Sequence, residues 1–254
     1  MTAPARPVVA ITGATAGIGL GVARQFALAG AAVVAGGRRE ERGRAVEAEL
    51  RAAGLDVTYA GGDTSTAEGA ASFVDRVVGQ HGRLDVLVNN AGSVGPDPLA
   101  PFDAVGEAAF DEVLAVNLKG PFFATQAAAR VMVAQGGGTI VDVGSAAGEL
   151  VSGSMVPYAA AKAGAMFMSR CLAEALAPCG VKVHTVVMYR VASEGGRRTL
   201  EARIANLGLT GSDADAFPAQ YDATAVEPED VGRAFVRLVE HGDVMIGPGF
   251  VVRP

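Results

Sequence analysis

Cysteine is almost missing from this 254-residue sequence: Cys171 and Cys179 are the only two, and their spacing matches neither a CxxC redox pair nor a zinc cluster. Both are expected as buried free thiols, following the usual preference of cysteine for interiors. The three histidines, His81, His184 and His241, fall on different predicted elements without ligand spacing, so no metal site is expected. Runs of five or six like charges are also missing, and the formal net charge is −6, which argues against nucleic acid or an anionic membrane surface as partner. Met1–Pro7 carries no apolar stretch ending in a cleavage site, and no 18-residue uncharged apolar run follows, so a soluble, cytoplasmic protein with no membrane partner is expected. With charged residues at 19% and aromatic ones at 6%, half of the chain is apolar, enough for a large core and incompatible with disorder. An α/β chain of about 250 residues commonly forms one unit, so a single domain over residues 1–254 is expected.

What is present is a regular alternation. Short apolar runs at Val8–Thr12, Ala32–Gly36, Leu55–Tyr59, Leu84–Val88, Thr139–Val143, Val181–Val187 and Val244–Val252 read as strands, several Val-rich without polar alternation. Stretches of helical period lie between them, near 17–29, 40–53, 66–80, 103–134, 157–177 and 228–240. This succession predicts a Rossmann-like, doubly wound parallel sheet with helices on both faces. Residues 190–226 break the pattern. Their Gly, Ser, Asp and Arg content predicts weak structure, with a short helix near 198–207, placed over the strand ends as a substrate lid.

Three glycines, Gly13, Gly17 and Gly19, follow the first strand and open the first helix. Such a turn lets backbone amides approach a pyrophosphate at the positive helix end, although the spacing is GxxxGxG rather than the common GxGxxG and a tight loop alone is the plainer reading. About twenty residues on, where a ribose-binding carboxylate is expected, the chain reads Gly36-Gly37-Arg38-Arg39. A guanidinium without a neighbouring acid favours the 2′-phosphate of NADP over NAD; otherwise the two arginines merely begin a solvated helix. Asp63 is placed to accept from an adenine amino group, or is an ordinary turn residue.

The fourth strand ends in Asn89-Asn90-Ala91-Gly92 and the fifth in Val143-Gly144-Ser145, which puts polar groups at the carboxyl edge where such sheets bind ligands. The next predicted helix carries Tyr158 and Lys162. Their i, i+4 spacing puts phenol and ammonium on one face, where the cation stabilises the phenolate. YxxxK alone is a weak signal. Joined to Ser145, the strand-end position and the glycine turn, it is a strong one.

With these residues the sequence resembles the compact short-chain dehydrogenase/reductase family over nearly its whole length, through Thr12–Gly19 (TGATAGIG), Asn89–Gly92 (NNAG), Asn117, Ser145, Tyr158 and Lys162. The resemblance implies NADP(H)-dependent hydride transfer between the nicotinamide and a carbonyl or secondary alcohol. Tyr158 would be the general acid or base, Ser145 the group that positions the reacting oxygen, Lys162 the ligand of the nicotinamide ribose, and Asn117 the holder of a relay water. It also implies that Gly13, Thr15, Gly17, Ile18 and Gly19 cradle the dinucleotide, with Arg38, Asp63, Thr64, Asn90, Ala91, Gly92 and Ser193 completing its site. Two alternatives stand beside it: an NAD-linked alcohol dehydrogenase of the same fold, and a cofactor-binding regulator without catalysis. Two departures occur. Met188-Tyr189-Arg190 replaces the family's Pro-Gly turn, so Tyr189 and Arg190 fold away, fill the nicotinamide pocket or touch substrate, and the chain ends without the usual Asp-Gly-Gly.

The helix from Tyr158 to Ala177 is apolar on nearly every side, whereas a helix covering a sheet needs one apolar stripe. Together with Phe122, Phe123 and Ala127–Ala129, it predicts a two-fold helix interface, hence a homodimer or homotetramer.

Overall fold

A strand covered on both faces needs apolar side chains at every position, and Val8-Val9-Ala10-Ile11 supplies them. In the computed structural model these residues form β1 (Val8–Ile11), buried throughout. The structure describes residues 6–151, 153–206, 208, 210, 218, 221, 223–242, 246–247 and 250–253. The chain continues through α1 (Gly17–Leu28), β2 (Ala32–Gly37), α2 (Glu40–Ala52), β3 (Val57–Gly61), α3 (Ala67–His81), β4 (Val86–Asn89), α4 (Glu107–Leu114) and α5 (Gly120–Ala134). Then come β5 (Gly138–Ser145), α6 (Val156–Leu176), β6 (Val181–Met188), α7 (Glu194–Asn206), α8 (Pro228–His241), β7 (Ile246–Gly247) and β8 (Phe250–Arg253). The sheet order is β3-β2-β1-β4-β5-β6-β8-β7. Strands β1 to β6 pair in parallel, and the order reverses between β1 and β4, so a crevice opens at their carboxyl ends.

The two faces of the sheet carry separate cores. Val9 and Ile11 pack with Phe26, Phe235 and Leu238 of α1 and α8. Their neighbours Val8 and Ala10 point the other way, toward Phe73, Val77 and Met132 of α3 and α5. Phe73 and Phe235 are fully buried, so truncation of either to alanine costs about 3–5 kcal/mol.

Three expectations are corrected. The single strand predicted over Val244–Val252 is two short ones, with Ile246 paired to Val251 and Gly247 to Phe250. β8 runs antiparallel to β6, unlike the parallel strands β1 to β6. The helix predicted over 103–134 begins at Glu107 and is broken by a π turn, Ala115–Lys119, carrying Asn117. Pro121, four residues after Asn117, has no N–H to return to the Asn117 carbonyl. Finally, Cys171 and Cys179 are both exposed, one on the outer face of α6 and one in the turn that follows it, so cysteine's general preference for interiors does not hold here. The short helix near 198–207 is present as α7, whereas most of 207–222 lies outside the described residues.

Candidate active site

The glycine turn is dictated by contact as well as conformation. Gly13 has φ +67°, and a Cβ there would sit 2.9 Å from the Ala91 Cα. A Cβ on Gly19 would sit 2.3 Å from Asn90 Nδ2 and 2.5 Å from the Gly13 carbonyl oxygen, so side chains at these positions would push the turn off β4. Asn90 Nδ2 donates to the Thr12 and Gly13 carbonyls at 2.9 and 3.0 Å. The Asn90 and Ala91 amides both donate to Thr12 Oγ1 at 3.0 Å. Thr12, which sequence reasoning passed over, and Asn90 are therefore the clamp that holds the turn. Ala16 precedes α1 and offers no side-chain cap, so the first-turn amides of Gly17, Ile18 and Gly19 are available to an anion.

Thr15 is buried in the turn and its carbonyl accepts from Arg42 Nε at 2.9 Å. Arg38 is exposed at the end of β2, close enough to act on Asp63. Partial burial pushes the Asp63 carboxyl up, but the Ser65 amide, at 3.0 Å, its hydroxyl and the Arg38 charge prevail and leave it below its ordinary value. The Thr64 carbonyl lies against Gly120, where a Cβ would come within 2.6 Å. Ser193 sits over the glycine turn from the other side, its Cβ 3.2 Å from the Cβ that Gly17 lacks, and its Oγ accepts from the Gly196 amide at 3.2 Å.

At the other end of the crevice Lys162 is buried, its Nζ donating to the Val143 carbonyl at 2.8 Å and lying 5.9 Å from the centre of the Tyr158 ring. Asn117 is fully buried in the π turn. Its Nδ2 donates to the Ser93 and Val113 carbonyls at 2.6 and 2.8 Å, and its Oδ1 accepts from the Ser93 amide at 3.3 Å. A Cβ on Gly92 would lie 3.2 Å from Asn117 Oδ1, tight enough that Asn117 would have to give way, and 4.0 Å from Lys162 Nζ, an ordinary contact. Ser145 ends β5 and its Oγ accepts from the Ala147 amide at 3.2 Å. Tyr158 is half-buried at the start of α6, where it lines a cavity with Val94, Met155 and Val156. Met155 enters that helix at φ +59°, the only left-handed residue other than glycine among the described residues.

Behind the lysine lies a buried polar cluster that sequence reasoning missed. Asp142 Oδ1 accepts from Asn89 Nδ2 at 2.7 Å and Oδ2 from Ser169 Oγ at 2.5 Å, while Asn89 Nδ2 also donates to Thr125 Oγ1 at 3.0 Å. Burial raises the Asp142 carboxyl above its ordinary value, against the Ser169 and Asn89 hydrogen bonds and the Lys162 charge. The signal for it was one carboxylate in an otherwise apolar strand.

Of the three fates left open for the Met188–Arg190 turn, Met188 is buried, Tyr189 reaches Glu149 at 3.3 Å and Arg190 reaches Thr224 at 2.9 Å. Arg198 of α7 donates to the Gly95 carbonyl at 3.0 Å, so α7 touches the loop after β4. Among the described residues no three His, Cys, Asp or Glu side chains group as metal ligands, and no helix is long and apolar enough to cross a membrane.

The chain is similar in sequence and in fold to known proteins. The sequence profile described as short chain dehydrogenase matches residues 7–203. An uncharacterized oxidoreductase of Thermotoga maritima is 38% identical over 188 residues, covering 74% of this chain and 73% of that protein. A 3-oxoacyl-[acyl-carrier-protein] reductase of Chlamydia pneumoniae is 31% identical over 230 residues, 91% of this chain and 88% of that one. Among solved structures, a variant of actinorhodin polyketide ketoreductase with NADPH superposes with a TM-score of 0.86 at 28% identity, covering 95% of this chain and 93% of that chain. The nucleotide-binding sheet, the glycine turn and the profile matched across both place the chain in the short-chain dehydrogenase family of oxidoreductases.

Proposed function

We propose that this oxidoreductase interconverts carbonyl compounds and secondary alcohols with NADP(H), Tyr158 exchanging the proton at the reacting oxygen. The observation that carries the reading is the mooring of Lys162: its ammonium is fixed to the Val143 carbonyl at 2.8 Å and sits 5.9 Å from the Tyr158 ring. That bond holds the lysine of α6 against the strand that ends in Ser145, so a phenol, a hydroxyl and a fixed ammonium come to one end of the crevice. Ser145, two residues beyond Val143, offers a hydroxyl to orient the substrate oxygen. Asn117 acts at one remove, its side chain fastening the Ser93 segment to the π turn beside Lys162.

The residues present fit a nicotinamide dinucleotide, which when bound supplies or accepts the hydride. The uncapped first-turn amides of Gly17, Ile18 and Gly19 suit its pyrophosphate, with Gly13 and Thr15 shaping the turn beside them. Asp63 and Thr64 would flank the adenine, Asn90, Ala91 and Gly92 the adenosine side of the crevice, and Lys162, Tyr158 and Ser193 the nicotinamide half. Arg38, with no carboxylate beside it on β2, supports NADP(H) over NAD(H).

The exposed apolar side chains of Phe122 and Val133 on α5 and Phe167 on α6 support assembly into a dimer or tetramer through these helices. Light scattering reads that directly: a stable mass near the 25.6 kDa monomer contradicts it.

The function is tested by following NADPH and NADH oxidation against ketones, quinones, sugars and acyl thioesters. Turnover of a carbonyl compound with kcat/KM higher for NADPH is expected. Tight dinucleotide binding without turnover of any compound would instead favour a regulator.

A further inference from the structure

The glycine turn after β1 has to be held in shape by its neighbours. Gly13 and Gly17 both sit at positive φ, +67° and +51°, and glycine gives up more conformational freedom on ordering than any other residue. The anchors follow one another along the turn. Asn90 Nδ2 holds the Thr12 and Gly13 carbonyls, and the Ala14 amide donates to the Gly36 carbonyl at 2.8 Å. Thr15 comes next, and a side chain from another element holds it: Arg42, in the first turn of α2, donates from Nε to the Thr15 carbonyl at 2.9 Å. Helical side chains lean back toward the N-terminus of their helix, so the half-buried Arg42 reaches the end of β2. Thr15 is itself buried, and its Cγ2 lies 2.7 Å from where Gly37 would carry a Cβ. It is wedged between the end of β2 and the start of α2.

The Thr15–Ala16 peptide is planar and trans, so a carbonyl fixed toward α2 fixes the Ala16 N–H in the opposite direction. Ala16 is extended, at φ −164° and ψ 165°, and leads straight into the Gly17, Ile18 and Gly19 amides that open α1. Resting on the dinucleotide reading above, we infer that Arg42 is a positioning residue for the cofactor: through its Nε–H it braces the pyrophosphate turn from the α2 side, for NADP(H) and NAD(H) alike. Its part differs from that of Arg38, which is exposed at the end of β2 and is proposed to meet the 2′-phosphate itself. A turn free to rotate about its glycines is competent to bind for only part of the time, and affinity falls by that fraction. The brace supplies geometry rather than charge, and the two can be separated. Glutamine at this position carries its Nε2–H as far along the side chain as arginine carries Nε–H, without the positive charge. Methionine fills the same length with no donor.

The test is calorimetric titration of NADPH and NADH into the wild type, Arg42→Gln and Arg42→Met, beside amide exchange of the three proteins without dinucleotide. Arg42→Met is expected to bind both dinucleotides about tenfold more weakly, and Arg42→Gln to stay within about threefold of the wild type. The Ala14 amide should exchange about tenfold faster in Arg42→Met than in the other two, with the amides of β1 unchanged. Losses in Arg42→Gln as large as in Arg42→Met would assign the effect to charge and overturn the brace. A loss confined to NADPH would make Arg42 a phosphate ligand instead. Wild-type affinity in Arg42→Met would overturn the brace too, as would exchange that quickens throughout β1 and β2, the mark of a general loss of stability. If the wild type binds neither dinucleotide, the dinucleotide reading falls and exchange at Ala14 decides alone: faster in Arg42→Met only, the brace stands; equal in all three, it is gone.

Discussion

Lys162 Nζ donates to the Val143 carbonyl oxygen at 2.8 Å, so the cation beside Tyr158 is moored to the strand that ends in Ser145. With the Ser169–Asp142 hydrogen bond, that contact ties α6, which carries the proposed tyrosine, to β5, which carries the proposed serine. Lys162→Met keeps the length of the side chain and suits a buried position, but removes the charge. Turnover is expected to fall about 10²-fold or more, with KM for the dinucleotide raised. Unfolding in denaturant should match the wild type within about 1 kcal/mol. Wild-type kcat in a folded Lys162→Met protein would contradict the role given to the lysine.

Arg38→Ala removes the guanidinium at the end of β2. Loss of a charge-assisted contact of about 1.5–3 kcal/mol corresponds to roughly 10- to 150-fold weaker NADPH binding. NADH should change by less than about threefold. Equal losses for both, by titration, would make Arg38 a stability residue.

Ser169→Ala takes one donor from the buried Asp142 carboxyl, which already accepts from Asn89. The expected cost is about 1–3 kcal/mol in equilibrium unfolding, larger than a surface Ser→Ala change. A loss below about 0.5 kcal/mol would show that the cluster rearranges to satisfy the carboxyl.

His184 on β6 resists protonation, first because burial disfavours its charged form and then because Lys182 is near. The unfolded chain takes up this proton near the ordinary value of 6.5, whereas the folded chain does so only at lower pH. His184 therefore contributes stability fully present above pH 6.5 and lost as pH falls from there toward the folded value. Denaturation midpoints should decline between pH 7 and 5.5, and His184→Gln should flatten that slope. An unchanged slope in the variant would remove the histidine from the account.

Much of the fold could be read from the sequence because it is written locally. The Val-rich strands, the helical periods and the glycines after β1 are signals within a dozen residues, and so is the i, i+4 spacing of Tyr158 and Lys162. The parts that could not be read depend on distant partners. Asn89 and Asp142 are 53 residues apart, and Arg198 and Gly95 are 103. That the amide of Asn90 would hold the turn rather than merely line it follows only once β4 lies beside β1. The π turn at Asn117 had a local cue in Pro121, which helical periodicity overrode.

The central claim, that Tyr158 exchanges the proton during hydride transfer, is tested most directly by Tyr158→Phe, which keeps the ring and removes the hydroxyl. With a ketone that the wild type reduces, single-turnover NADPH oxidation should slow at least 10²-fold, while NADPH titrates within about threefold of the wild-type affinity. A Tyr158→Phe protein that oxidises NADPH at the wild-type rate on that ketone would contradict it.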